Sequence, residues 1–298
     1  MPVEQKTSNH STLVILAAGA SSRMKKSPAG KGISSADAQQ ANSRSKGLIS
    51  VGNQGRPLLD YILYNAYKAG YRRIVLVVGE DYSAFQRFYG AQRANNAFHG
   101  LSISYAIQHI YPGRQKPFGT ADAVLQALEQ YPDLQSGFFT VCNSDNLYSI
   151  NALRKLRQTE SPNALILYDR NGLKFSPERI LKFALMAVDS QFKLEKIIEK
   201  PLVSEVENYR DKTGIVRVSM NIFKFAGSLI YSSLQNCPVT PGRDEKEIPT
   251  AIMNMLQENP GSVLGIPLNE HVPDLTEKRD IAAMRKYLQD NYKTLDWP

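Results

Sequence analysis

Leu13-Val14-Ile15-Leu16-Ala17-Ala18 is apolar without a break, and the chain then runs into Gly19-Ala20-Ser21-Ser22-Arg23. An apolar run with no polar face fits a strand covered on both sides, not one that faces water. The residues behind it are small, so the backbone there can come close to a ligand. Gly19 carries no Cβ to block that approach. Unpaired N–H groups in such a loop form a concavity for an anion, and Arg23 sets a positive charge beside it. The run predicts a buried strand that delivers a phosphate-binding loop.

Strands and helices then alternate. Residues 57–70 have helical spacing, opening with Pro57 and closing with Gly70. Residues 74–79 form a second buried strand, 85–89 a helix, 102–108 an alternating strand and 120–130 a further helix. The strand at 138–142 ends at Asn143-Ser144-Asp145, and a helix at 150–158 and a strand at 164–168 follow. This order predicts an α/β fold with a Rossmann-like mixed, mostly parallel sheet flanked by helices. Ligands of such sheets sit outside the carboxyl ends of the strands, where both Gly19 and Asp145 fall. From Leu181 the pattern changes to short strands at 183–189, 194–198 and 216–225. From Ile248 a mainly helical tail is expected, with 281–292 its clearest amphipathic segment. Residues 25–45 are rich in Ser, Ala, Gly, Lys and Gln without periodicity, and read as a flexible insertion.

Composition narrows the function classes. An apolar fraction of 42% and a charged fraction of 21% over 298 residues are those of a soluble globular chain. No apolar stretch approaches the roughly 20 residues of a membrane helix, so no membrane partner is expected. Residues 1–10 lack the regions of a secretion signal. Cys142 and Cys237 are the only cysteines and have no metal-ligand spacing, which points to a cytoplasmic protein with two free thiols. The net charge of +8 is spread along the chain, with small clusters such as Arg72-Arg73 and Arg154-Lys155. No helix-turn-helix, RNP-like or zinc-finger pattern accompanies it. We therefore expect no nucleic-acid partner, and assign the charge to steering of a small phosphorylated substrate. His10, His99, His109 and His271 form no metal-ligand grouping and are expected at the surface or in loops.

The opening loop is neither a Walker A motif nor GxGxxG. Leu16-Ala17-Ala18-Gly19-Ala20-Ser21-Ser22-Arg23-Met24 followed by Lys46 resembles instead the signature of the sugar-phosphate nucleotidyltransferases. Gly119-Thr120-Ala121, Asn143-Ser144-Asp145, Glu199-Lys200-Pro201 and Asn221 within Val218-Ser219-Met220-Asn221-Ile222-Phe223 follow in that family's order. Arg243-Asp244-Glu245-Lys246-Glu247-Ile248-Pro249 and residues 272–281 are looser matches.

The resemblance implies Mg²⁺-dependent transfer of a nucleotidyl group from a nucleoside triphosphate to a sugar 1-phosphate, with pyrophosphate as the second product. The nucleophile is already an anion, so the reaction asks for charge neutralisation and alignment more than for a base. Arg23, Lys46 and Asp145 are then the catalytic residues. Leu16, Ala17, Ala18, Gly19, Gln108, Gly119 and Thr120 bind the nucleotide, and Glu199, Lys200, Asn221 and Arg243 the sugar phosphate. Asp145 and Asp274 hold the metal as hard oxygen ligands. One domain over 11–298 follows, with a nucleotide-binding half at 11–170, a sugar-binding insertion at 171–247 and the helical tail at 248–298, whose surface could form a homo-oligomer.

Duller roles stand beside these. Asn-Ser-Asp-Asn suits a turn, Lys200 suits an exposed surface, and Arg243 could pair with Asp244 or Glu247. Asp280 competes with Asp274 for the metal, and either could cap the helix behind it. Ser45 stands where the family commonly has proline, and the interval from Arg23 to Lys46 is long. Gly47-Leu48-Ile49-Ser50-Val51 behind it favours Lys46, while Lys25, Lys26 or Lys31 could take part of its work. The insert could close as a lid over the triphosphate. Two other functions remain open: transfer to phosphocholine or another phosphorylated alcohol, for which Tyr168, Phe175 and Tyr209 are candidate cage walls, and a non-catalytic nucleotide-sugar-binding regulator.

Overall fold

The computed structural model describes residues 10–30 and 32–298; residues 1–9 and Lys31 lie outside it, and with them the expectations for the N-terminal segment and for that lysine. The first half runs β1 (Thr12–Leu16), α1 (Ser22–Lys26), α2 (Ser35–Ser43), α3 (Leu58–Ala69), β2 (Arg73–Val78), α4 (Ser83–Tyr89), β3 (Asn96–Phe98), β4 (Leu101–Ile107), α5 (Thr120–Gln130), β5 (Phe138–Asn143), α6 (Ile150–Gln158) and β6 (Asn163–Asp169). The second half contributes α7 (Pro177–Ile180), β7 (Leu185–Val188), β8 (Leu194–Ile198), β9 (Arg217–Val218), β10 (Ile222–Ala226), α8 (Gly227–Gln235), α9 (Ile248–Glu258), β11 (Val263–Leu268) and α10 (Asp280–Asn291).

Among the described residues eleven strands form one mixed, mostly parallel sheet, in the order β3-β4-β2-β1-β5-β10-β6-β9-β7-β8, with β11 paired to β6. The ladder β4-β2-β1-β5 is parallel throughout, and β10 enters antiparallel between β5 and β6. Period-two alternation divides the core. Leu13 and Ile15 face a layer built with α3, α6 and α10, while Val14 faces the layer of α5, α8 and α9. A buried Leu or Ile contributes about 2 kcal/mol, well above the roughly 0.7 kcal/mol span of ordinary helix propensities. Packing of Leu59, Ile62 and Leu63 therefore fixes α3. Its end is set by Gly70, left-handed at φ 100°, where a Cβ would come within 2.8 Å of Arg157 Nε.

Several sequence expectations change. Residues 35–43, read as part of a structureless insertion, are helical. Ser34 accepts from the Asp37 N–H and Asp37 from the Ser34 N–H, both at 3.2 Å, a capping box at the helix start. Arg285 of α10 adds two hydrogen bonds to the Asp37 carboxylate, at 2.8 and 2.5 Å. End caps and an ion pair, not an apolar stripe, hold this helix. The tail from Ile248 is not simply helical, because β11 lies in it and runs parallel to β6. Gly265 there lets the backbone approach Leu167, whose Cδ1 would lie 2.4 Å from a Cβ. The expected strand at 216–225 breaks into β9 and β10 around Asn221, which is left-handed at φ 55°. β3 and α8 were not anticipated. His10 is buried, not exposed: its Nε2 lies 2.9 Å from Thr140 Oγ1 and its ring meets Tyr71 edge-on. Cys142 and Cys237 are both buried and unpaired. Among the described residues no helix is long and apolar enough to cross a membrane.

Candidate active site

A cavity of about 380 Å³ opens beyond the carboxyl ends of β1 and β5. Leu16, Ala17, Ala18, Gly19 and Arg23 line one side. The Ala17 N–H still bonds across to the Val77 carbonyl at 2.8 Å, but among the described residues the N–H groups of Ala18, Gly19 and Ala20 find no acceptor. Ser21, left-handed at φ 56°, then turns the chain into α1, which is anchored by the buried side chain of Met24. A Cβ on Gly19 would meet nothing within 4 Å; the space in front of it is the cavity.

Lys46 and Asp145 form the floor. The Ser144 N–H donates to the Leu16 carbonyl at 3.1 Å, placing Asp145 just past β5. Lys46 opens a short 3-10 turn that ends at Leu48, held down because Ser45 Oγ donates to the Ala17 carbonyl at 3.2 Å. Gly47 lets that turn pass Ser144, whose Cβ would lie 3.2 Å from a Cβ at this position. Lys46 Nζ consequently sits 2.8 Å from Asp145 Oδ2. Lys25 and Lys26 lie exposed on α1 and do not line the cavity; neither do residues 32–44.

Gln108, Gly119 and Thr120 line the opposite side. Gln108 Nε2 donates to the Gly119 carbonyl at 3.0 Å and to Asp122 Oδ2 at 2.8 Å. Both partners are acceptors, so the amide orientation is unambiguous. Gly119 is left-handed at φ 107°, and a Cβ there would stand 2.3 Å from the Lys246 carbonyl oxygen. Thr120 Oγ1 accepts from the Ile248 N–H at 3.1 Å, joining the start of α5 to α9.

The segment before α10 meets the loop after β5 in a short antiparallel contact. Asn146 pairs with Asp274, and the Leu275 N–H donates to the Asp145 carbonyl at 2.9 Å. Burial lifts the Asp274 carboxyl to about 6; Arg179 opposes the rise, while the charges of Asp145 and Asp280 add to it. Asp280 is committed elsewhere, accepting from the Thr276 and Glu277 N–H groups at 2.8 and 2.7 Å and from Arg179 at 2.8 Å. Of the two competing aspartates, Asp274 is the one on the strand contact beside Asp145.

Glu199, Lys200, Asn221 and Arg243 do not line this cavity. Arg243 is shared by Glu199 at 3.4 Å and by Glu247. Burial raises the Glu199 carboxyl above its ordinary range, with Arg243 opposing and Glu247 adding to the rise. Lys200 is left-handed at φ 50°, as Asn221 is at 55°; non-glycine residues in this region concentrate at ligand sites. None of the candidate cage walls Tyr168, Phe175 and Tyr209 lines the cavity: Tyr168 is wholly buried, and the Phe175 ring carries the Arg179 guanidinium 4.4 Å from its centroid.

Three residues were not singled out from sequence. Lys116 and Glu245 both line the cavity and pair at 2.8 Å, tying the turn before α5 to the segment before α9. The basic Gly113-Arg114-Gln115-Lys116-Pro117 turn was the available signal. Arg179, which pairs with Asp274 and Asp280, had none.

Residues 41–263 match the family model described as Nucleotidyl transferase. That span includes Lys46, Gln108, Asp145 and Lys200, but neither the loop at Gly19 nor Asp274. The chain is 25% identical over 267 residues to the bifunctional protein GlmU of Staphylococcus haemolyticus, covering 89% of this chain and 48% of that protein. It is 23% identical over 192 residues to a glucose-1-phosphate adenylyltransferase of Corynebacterium jeikeium, covering 64% and 46%. A glucose-1-phosphate adenylyltransferase of Granulibacter bethesdensis is 26% identical over 205 residues, covering 67% and 47%. The chain thus spans about half the length of these curated relatives.

Proposed function

The chain belongs to the nucleotidyl transferase family, and on that footing we propose that it transfers a nucleotidyl group from a nucleoside triphosphate to a sugar 1-phosphate. The observation that carries this reading is the Lys46–Asp145 pair, 2.8 Å apart under a loop of unpaired N–H groups. A phosphate oxygen of the acceptor attacks the α-phosphorus, the new P–O bond forms, and the α–β anhydride bond breaks to release pyrophosphate. No side chain has to remove a proton from the nucleophile. The loop at Gly19 and the exposed Arg23 receive the triphosphate, and Lys46 neutralises charge as it moves onto the leaving group.

Asp145 and Asp274 fit a divalent cation of the Mg²⁺ kind. They are hard oxygen donors on two paired segments, of which Asp145 lines the cavity and Asp274 does not. When bound, Mg²⁺ would neutralise triphosphate oxygens. Arg243, already shared between two carboxylates, orients Glu199 toward sugar hydroxyls and leaves Lys200 as the cation for the sugar phosphate. Asn221 offers a side-chain amide for sugar hydroxyls, in a left-handed backbone conformation that the fold maintains at a cost.

The test is pyrophosphate release by the purified protein across several nucleoside triphosphates, each crossed with sugar 1-phosphates and phosphocholine. We expect turnover with a sugar 1-phosphate and its loss in Asp145→Ala. Inactivity across the whole matrix would point to a nucleotide-sugar-binding regulator instead, and turnover with phosphocholine alone would correct the acceptor.

A further inference from the structure

We propose that Arg179 is a positioning residue that holds Asp274 for the metal and competes with it, so that a divalent cation reaches Asp274 only by displacing this guanidinium. The inference rests on the reading above in which Asp145 and Asp274 are the metal carboxylates. Arg179 lies on α7, in the crossover from β6 to β7, 95 residues from Asp274. Its Nη2 donates to Asp274 Oδ1, and its Nη1 to Asp280 Oδ1 at 2.8 Å. The Phe175 ring lies under the guanidinium. The Asp274 and Asp280 side chains are 8% and 10% exposed, so water does little to screen the two carboxylates.

Two of these three holds do not involve Asp274. Asp280 is itself pinned by the Thr276 and Glu277 N–H groups, and the Phe175 ring is held by edge contacts to Phe183 and His271. Arg179 can release Asp274 and stay docked. On the other carboxylate, Lys46 occupies Asp145. Lys46 and Arg179 thus set two side-chain cations against the three carboxylates of Asp145, Asp274 and Asp280. Exchanging a cation for a cation avoids leaving a buried carboxylate unpaired. It also makes affinity depend on the cation being replaced. A planar guanidinium fixed between two carboxylates is a stronger competitor than a single flexible ammonium.

Mn²⁺ alone serves as the probe, with free Mn²⁺ read by electron paramagnetic resonance on the nucleotide-free full chain. Arg179→Gln should bind Mn²⁺ at least tenfold more tightly than the parent protein, and Arg179→Lys, which keeps a weaker competing cation, should fall between the two. Melting without metal should fall in Arg179→Gln and be restored by Mn²⁺ to a greater extent than in the parent. Unchanged or weaker Mn²⁺ binding by Arg179→Gln overturns the proposal. Should that variant not fold, Phe175→Leu loosens the guanidinium without removing it. Tighter binding there supports the competition, and unchanged binding overturns it. Asp274→Asn separates the two levels. If it leaves Mn²⁺ binding intact, the metal reading itself fails; if it weakens binding while Arg179→Gln changes nothing, only the role of Arg179 falls.

Discussion

The buried ammonium of Lys278 donates to the main-chain carbonyl oxygen of Lys25 at 2.8 Å, across 253 positions of sequence. It also donates to the Ser27 carbonyl at 2.6 Å, while the Lys278 N–H donates to Ser27 Oγ at 3.0 Å. The free carbonyls at the end of α1 thus find their donor in the segment that precedes α10. That segment also carries Asp274, so the end of α1 and the second carboxylate are tied to one piece of chain.

Lys278→Met should therefore cost more than a surface change. It removes a charged donor from two part-buried carbonyls, a loss of about 2 kcal/mol. Urea unfolding of the full chain measures that cost. The same substitution frees the end of α1 and should raise KM for the nucleoside triphosphate several-fold. A change in stability without a change in KM would mean that α1 needs no support from this segment.

Asp37 and Arg285 give a pH-dependent version of the same docking. The hydrogen bonds from Arg285 hold the Asp37 carboxyl down at about 2, against the resistance of burial. In the unfolded chain it titrates near 4. Above about pH 4 both states are ionised and the stabilisation is present in full. As the pH falls from there the unfolded chain takes up its proton first, and the contribution is lost by the time the pH passes about 2. Arg285→Ala should cost about 2 kcal/mol at pH 7 and progressively less below pH 4. It should also speed proteolysis within residues 32–46. A deficit that is flat from pH 7 to pH 2.5 would assign the loss to the packing of the arginine stem.

Legibility in the sequence followed how local each cause is. β1 and β2 are carried by unbroken apolar runs, Leu13–Leu16 and Ile74–Val78, and β5 by an apolar run interrupted only at Thr140; α3 is bracketed by Pro57 and Gly70. Lys46 could be told from its neighbours by the apolar Gly47–Val51 stretch behind it, and the cavity holds Lys46 and no other of the four candidate lysines among those described. α2 escaped because its partner Arg285 is 248 residues away. β11 escaped because Gly265 and Pro267 are breakers in a local reading. In the fold, the glycine makes room for Leu167, and the proline lies past the Leu264–Gly265 contact with the turn at Phe192-Lys193, on a strand whose ladder is with β6. Arg179 escaped for the strongest reason: nothing in Pro177-Glu178-Arg179-Ile180 distinguishes it until the fold sets Asp274 and Asp280 beside it.

Gly19 and Gly119 both line the cavity, yet the same substitution should affect them in opposite ways. At Gly19 a Cβ meets no atom within 4 Å and the backbone is not left-handed, so Gly19→Ala should fold with an unchanged melting temperature. Its methyl instead occupies the space over the unpaired N–H groups, and KM for the nucleoside triphosphate should rise at least tenfold. At Gly119 a Cβ would stand 2.3 Å from the Lys246 carbonyl oxygen, and φ is 107°. Gly119→Ala must therefore displace backbone, not a side-chain tip, and should lose on the order of 2–3 kcal/mol of stability. The displaced carbonyl also accepts from the Ala121 N–H at 3.0 Å, so the first turn of α5 moves with it. Thermal melts of the two variants, read beside nucleotide KM, separate the roles. A stable, fully active Gly19→Ala protein would remove the loop from the triphosphate site, and an unperturbed Gly119→Ala melt would show that the segment before α9 yields freely.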